Sequence, residues 1–380
     1  MNLNCQTRVA RCAAPAFVSA TLALVGAAAW APAAAAAPLA TAATRPQDGN
    51  RDVVNLRNGQ SEIGRIKSED FAGLEIDPPR GETKRVAWAD VAPGGITYAD
   101  PEWQAVADLI ATSKFAEALA PLEELKADTK RRAPIRQNAL YFHAFALQRT
   151  GQADAALAGY KELATAFPKS RYLMQAGEGL VTILGAKKDF AGAARLLDDM
   201  AAAADASFAP AAGVLKGRLF EEQKDWAKAS AAYGVAARAS GVTPIVQLQA
   251  ELGEARALAA QNKKTEAETA LRKLVSKDGP NHLMAGVWNG LADLAQERAR
   301  AANNGKGDAE QLIDALYMYL RGVVQYAPLP GDPMTEYKRS LQGSIAVFDA
   351  LAQVDTVADR KRMYQQRAAQ RREQLAREFP

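Results

Sequence analysis

Along most of this chain the apolar positions return in a fixed order. Ala118, Ala156, Ala193, Ala229 and Ala267 follow one another at intervals of 36 to 38 residues. Nine residues before each stands a large apolar residue: Leu109, Leu147, Leu184, Phe220 and Leu258. Four residues after each comes Leu122, Tyr160, Leu197, Tyr233 and Leu271, and seven after comes Leu125, Leu163, Met200, Ala236 and Leu274. A small residue held at constant distance from large ones, over a period of about 34 to 40 residues, predicts stacked helical hairpins. The large residue upstream belongs to a first helix and the alanine opens a second. The positions four and seven further on share that second helix's inward face. Polar turns such as Arg149-Thr150-Gly151-Gln152 and Gln223-Lys224-Asp225 separate the two. One hairpin cannot bury its apolar face alone, and a stack can.

Residues 51–98 follow a different rhythm. Val53, Val54 and Leu56 lead into Asn58-Gly59, a hairpin signal because both residues tolerate positive φ. Ile63, Gly64 and Ile66 make a second run, and Phe71, Leu74 and Ile76 a third. Val86 and Trp88 mark a fourth, and Ile96 with Tyr98 a short fifth. Five short strands in this space predict a small curled barrel, since closure hides the strand edges. The polar stretch 44–50 reads as a linker. Asp100 and Pro101 read as the N-cap and first position of the first helix. Past residue 275 the register loosens. Ala315 with Tyr319 suggests a sixth unit, lengthened by Asn303-Asn304-Gly305-Lys306-Gly307-Asp308. The break Pro328-Leu329-Pro330-Gly331-Asp332-Pro333 precedes a final pair whose last member, 355–379, reads as a capping helix.

Two resemblances follow from these residues. Gly151, Ala156, Tyr160 and Pro168 in one unit, and Gly217, Phe220, Trp226, Ala229 and Tyr233 in another, resemble the tetratricopeptide repeat over roughly 101–275. Most units lack that family's turn glycine and closing proline, and the period exceeds its usual length of about 34. The order Asp-Val-Val-x-Leu-x-Asn-Gly, Gly-x-Ile, Val-x-Trp-x-Asp-Val resembles small SH3-like or Sm-like barrels. The expected fold is thus mainly α: a right-handed solenoid of six to seven hairpins over 101–380, preceded by a small all-β barrel at 51–98.

Residues 1–43 stand apart. Arg8 and Arg11 precede an apolar, alanine-rich stretch from Ala13 to about Ala36, followed by small-residue cleavage options. This is the make-up of a secretory signal peptide, with a retained membrane anchor as the other reading. It places the chain in the periplasm or outside the cell. Both cysteines, Cys5 and Cys12, fall within it, so the remainder has no thiol or disulfide chemistry. Removing its two arginines lowers the formal charge from +4 to +2. Near-neutrality argues against a nucleic-acid partner.

Candidate chemistry is sparse. His143 and His282 are the two histidines; the first is expected at a helix interface, the second at an exposed helix start. The acid pairs Glu123-Glu124, Asp198-Asp199 and Glu221-Glu222 diverge by about 100° on a helix and do not converge for proton transfer. Gly305-Lys306 lacks the rest of a phosphate loop. No metal set, cofactor or small-molecule substrate is inferred, and the chain is not expected to be an enzyme. Between Arg360 and Arg377 lie seven basic residues, with Tyr364, Ala368, Leu375 and Phe379 on one face. That suits a solvated cap, an anionic lipid surface or an acidic partner.

The tetratricopeptide resemblance implies a groove lined by first-helix residues that holds a protein or peptide. Its positions fall on Asn138, Tyr141, Gln148, Gln175, Glu178, Arg218, Glu221 and Arg256. The expected function is an exported, non-enzymatic scaffold in the bacterial cell envelope that binds a protein or peptide partner, a cell-envelope component being one candidate. The alternative is an envelope or cell-wall adaptor acting through the barrel.

Overall fold

The computed structural model describes residues 51–204, 208–305, 307–329 and 332–379. The leader expected at 1–43 and the linker at 44–50 lie outside the described residues. Five strands come first: β1 (Asp52–Leu56), β2 (Ser61–Glu69), β3 (Gly73–Asp77), β4 (Lys84–Ala87) and β5 (Val91–Thr97). They form one antiparallel sheet in the order β4-β3-β2-β1-β5, so β4 and β5 are its two hydrogen-bonding edges. In the first hairpin Gly59 alone takes the positive φ that both turn residues were expected to tolerate. Phe71 and Trp88, expected in strands, stand in the turns beside β3 and β4. Both are drawn out of the sheet by partners in the helical part, described below.

Helices fill the rest. They are α1 (Pro101–Ala111), α2 (Phe115–Ala127), α3 (Ala133–Arg149), α4 (Ala153–Ala166), α5 (Leu173–Ala186), α6 (Phe190–Ala203) and α7 (Ala209–Glu222), then α8 (Trp226–Ala237), α9 (Pro244–Ala260), α10 (Lys264–Leu274), α11 (Asn281–Ala301), α12 (Ala309–Val324), α13 (Thr335–Val354) and α14 (Ala358–Glu378). Consecutive pairs make seven hairpins. The repeating alanines are each the fourth residue of α2, α4, α6, α8 and α10, and Ala315 lies about one turn further in, as the seventh residue of α12. All six are at most 1% exposed, and every residue four or seven positions after the first five is buried as well. The expected N-cap is present: the Asp100 carboxylate accepts from the Trp103 N–H at 3.0 Å. Asp189 and Asp225 cap α6 and α8 in the same way.

The turns inside the hairpins explain the missing glycines. Ser113, Gly151, Lys188, Lys224 and Asn262, each five residues before a repeating alanine, all have φ between 58° and 83°. In every case the next residue's N–H returns to the carbonyl of the large apolar residue at the end of the first helix, at 2.8–3.0 Å. The left-handed conformation is therefore a property of the turn, and only one unit meets it with glycine. Lys188→Gly and Lys224→Gly should each stabilise the chain by about 0.5–1 kcal/mol, and Gly151→Ala should cost about 1 kcal/mol. Urea titration of the three variants measures this. No gain in either lysine variant would show that the turn carries no strain.

The sheet is built onto the first hairpins. Val54, Ile66, Leu74, Ile76, Val86 and Val91 share one core with Trp103 and Val106 of α1, Leu122 of α2 and Ile135 of α3. Asp52, with a side chain 1% exposed, accepts from the N–H groups of Ile66 and Ala99, both at 2.7 Å. It also receives both Nη atoms of Arg132, at 2.6 and 2.9 Å, so β1, β2, the end of β5 and the start of α3 meet on one carboxylate. Glu69, fully buried at the end of β2, accepts from Tyr98 Oη and from Gln137 Nε2 at 3.2 Å, and lies 3.2 Å from Arg171 Nε. Burial pushes its carboxyl above the usual range although Arg171 pulls it down. Arg171 lies 4.9 Å from the Trp88 ring centre, and Phe71 stacks on Phe208 at 5.9 Å. These contacts take the two aromatics out of their expected strands.

Candidate functional site

First helices form a continuous row: α3 touches α5, α5 touches α7, and so on to α13. Among the second helices only α4 and α6 approach as closely. The tighter row is the inside of a bend. The same conclusion follows from Arg256 of α9, whose Nη2 lies 2.8 Å from Glu336 Oε1 of α13, two helices along the row. Two interaxial steps of about 8–10 Å each are at the limit of two long side chains, and a row that curls toward its inner face brings them within reach. The intervening α11 presents Gly286 under the bridge. A Cβ there would lie 2.7 Å from Arg256 Nη2.

The inner face carries a ladder of charges. Glu178 of α5 pairs with Arg218 of α7. Arg339 of α13 pairs with Asp293 of α11 and lies 3.6 Å from Glu336. Asn289 Nδ2 donates to Glu336 Oε2 at 3.0 Å, and Ser340 Oγ donates to Asn289 Oδ1 at 2.8 Å. Burial alone would raise Glu336, but Arg256 and Arg339 hold its carboxyl below the usual range. Glu221 is pushed up by burial, against Arg256 and a hydrogen bond from Tyr233. Where the ladder meets the end of α9 an open cleft of roughly 360 Å³ has Trp226 and Leu271 within it and Glu221, Arg256, Asp293 and Arg339 around it.

Tyrosines from the hairpin cores position several of these groups. Tyr160, Tyr233 and Tyr319 are buried rings whose hydroxyls donate to Gln148, Glu221 and Asp293. Tyr233 fits because Gly217 of α7 and Gly253 of α9 leave room on both sides; a Cβ at either would lie 2.4–2.6 Å from its ring. In the first five units the pairing is visible in the sequence. Where the residue four after the alanine is tyrosine, the residue eight before it is Gln148 or Glu221. Where it is leucine, that residue is Ile110, Gly185 or Ala259.

The eight expected groove residues separate into two groups. Glu178, Arg218, Glu221 and Arg256 belong to the ladder, and Gln175 is exposed on α5. Asn138 is corrected: it is fully buried, accepting from the Tyr172 hydroxyl at 2.7 Å, because Arg171 and the sheet close over the start of α3. Tyr141 lies half-buried, its ring stacked on Tyr172 at 4.3 Å, and Gln148 is held by Tyr160. The ladder's farther members, Asn289, Asp293, Glu336 and Arg339, come from units where the period had loosened, so the repeat gave no position for them.

His282 is also corrected. It stands at the start of α11, yet it is half-buried, and burial lowers its pKa. Arg218, Glu178 and Glu336 are close enough to act on its charge. His143 lies half-buried in α3 with Nε2 3.2 Å from Glu123 Oε2, at a helix interface as expected. Among the described residues no group of three His, Cys, Asp or Glu could hold a metal ion, and no helix is long and apolar enough to cross a membrane.

No protein-family model and no curated protein matches the chain. Solved structures do resemble it. BtubC (BKLC) from P. vanneervenii is 18% identical, over 61% of this chain and 92% of that one, with a TM-score of 0.45. A tetratricopeptide repeat protein from Parabacteroides merdae is 12% identical, over 71% of this chain and 100% of its own, with a TM-score of 0.39. The C-terminal part of a TPR repeat-containing protein from Cytophaga hutchinsonii is 12% identical, over 68% and 97%, with a TM-score of 0.40.

Proposed function

We propose that this chain is an exported, non-enzymatic scaffold of the bacterial cell envelope that holds a protein or peptide partner along its inner face. The observation that carries this reading is the ladder itself: Glu178, Arg218, Arg256, Asp293, Glu336 and Arg339, drawn from five successive first helices. Such a row offers a partner charges of both signs on successive helices, which confers register and selectivity more than raw affinity. Its carboxylates at Glu178, Asp293 and Glu336 each face an arginine, which suits recognition better than proton transfer. Export rests on the basic and apolar make-up of residues 1–43. The shared core of the sheet and α1–α3 favours the groove over an adaptor that works through the sheet by itself.

The test is cross-linking with mass spectrometry on the full chain in its own envelope, comparing wild type with Gln175→Ala/Glu178→Ala/Arg218→Ala. Both members of the Glu178–Arg218 pair are about two-fifths exposed, and removing them together strands no charge. Cross-links to the partner should fall about tenfold or more, while helical content stays unchanged. Unchanged cross-linking would place partner capture elsewhere on the molecule.

A further inference from the structure

The far end of the stack carries a second surface. There α12 and α14 flank α13, and an open trough of roughly 350 Å³ lies between them. Phe348 of α13 and Leu320 of α12 line it on one side, and Arg367, Gln370, Arg371 and Gln374 of α14 on the other. Tyr317 and Val324 stand three residues before and four after Leu320, on the same face of α12. They are 64% and 73% exposed. Met363, four before Arg367, is 44% exposed, whereas Tyr364 and Ala368 take the buried face of α14.

The cations of the trough differ from their neighbours. Arg360, Arg362, Arg372 and Arg377 all face carboxylates. Arg367 and Arg371 instead donate to the neutral amides of Gln370 and Gln374, and no carboxylate pairs with either among the described residues. An exposed apolar strip thus runs beside two arginines that make no direct ion pair among the described residues, Glu378 reaching Arg371 only through the Gln374 amide.

We infer that this trough binds an acidic amphipathic helix of a partner protein. The partner's apolar stripe lies on Tyr317, Leu320 and Val324, and its carboxylates meet Arg367 and Arg371. A trough between two helices accepts a rod laid into it. A second copy docked about a two-fold axis crossing the trough would set arginines against arginines, which opposes that mode of self-association.

The experiment uses the full chain and a labelled synthetic peptide of about 14 residues, roughly four turns, with leucines at helical spacing and glutamates on the flanks. A control peptide carries lysine in place of every glutamate. The acidic peptide should bind, more weakly as salt rises, and the lysine peptide should not. Arg367→Glu/Arg371→Glu and, separately, Tyr317→Ser/Val324→Ser should each weaken binding about tenfold or more, with unchanged thermal unfolding. Tyr317, Val324 and Arg367 are exposed and Arg371 is half-buried, so at least the Tyr317/Val324 pair remains folded for the comparison. Equal binding of both peptides, or no effect of either variant, would overturn the inference. So would arginine-dependent pelleting with phosphatidylglycerol vesicles without peptide binding, which would make the surface lipid-directed. A wild-type dimer lost in the same variants would make it a self-association face.

Discussion

Asp52→Ala is expected to destabilise the chain by about 3–5 kcal/mol, far more than loss of a surface charge. The carboxylate it removes satisfies two backbone N–H groups and both Nη atoms of Arg132, and its side chain is 1% exposed. Without it the two N–H groups are orphaned, and Arg132, itself mostly buried, loses its counter-charge. Because the sheet and α1–α3 share a core, the damage should lower the unfolding midpoint of sheet and helices together. The double variant Asp52→Ala/Arg132→Met should recover part of the loss, since it removes the stranded charge. Urea unfolding followed by circular dichroism and by tryptophan fluorescence measures both points, Trp88 and Trp103 reporting on the junction. A cost below about 1 kcal/mol would show that the carboxylate is not what joins the sheet to the stack.

The second large effect is expected from Tyr233→Ala, at about 3–5 kcal/mol. The ring is 2% exposed and fills the space left by Gly217 and Gly253, so truncation opens a cavity between two successive units. Neither glycine can close it, having no side chain. The stack's cooperativity depends on contacts between neighbours, so protection of α7–α10 from hydrogen exchange should fall as a block. Tyr233→Phe keeps the ring and removes only the hydroxyl that reaches Glu221. It should cost about 0.5–1.5 kcal/mol while loosening that groove carboxylate. Exchange changes confined to α8 in Tyr233→Ala would contradict the seat between units.

How much of this was legible beforehand depends on the range of each interaction. The alanine positions, the hairpin turns and the strand segments are local patterns, set by side-chain period and turn chemistry, and they read directly. Phe71 and Trp88 misled because their apolar character serves partners at Phe208 and Arg171, more than 80 residues away in the chain. Asn138 misled for the same reason: a family position predicts a groove, and only the packed sheet shows that its start is closed. The tyrosine and its polar acceptor could have been found earlier. Tyr160 with Gln148 and Tyr233 with Glu221 recur at one spacing, and leucine units carry no such acceptor.

By itself, then, the sequence determined the helical hairpins, their alanine contacts and the five strands, because each depends on neighbours within one unit. The tertiary structure alone decided three things. The sheet joins the stack through the buried carboxylates of Asp52 and Glu69, the row of first helices curls far enough for Arg256 to reach Glu336, and α12 and α14 leave a trough that nothing in the described chain fills. The physical reason is common to all three. A charge pair or an unfilled face is defined by what stands opposite it across the fold, and hydrophobic periodicity carries no record of that.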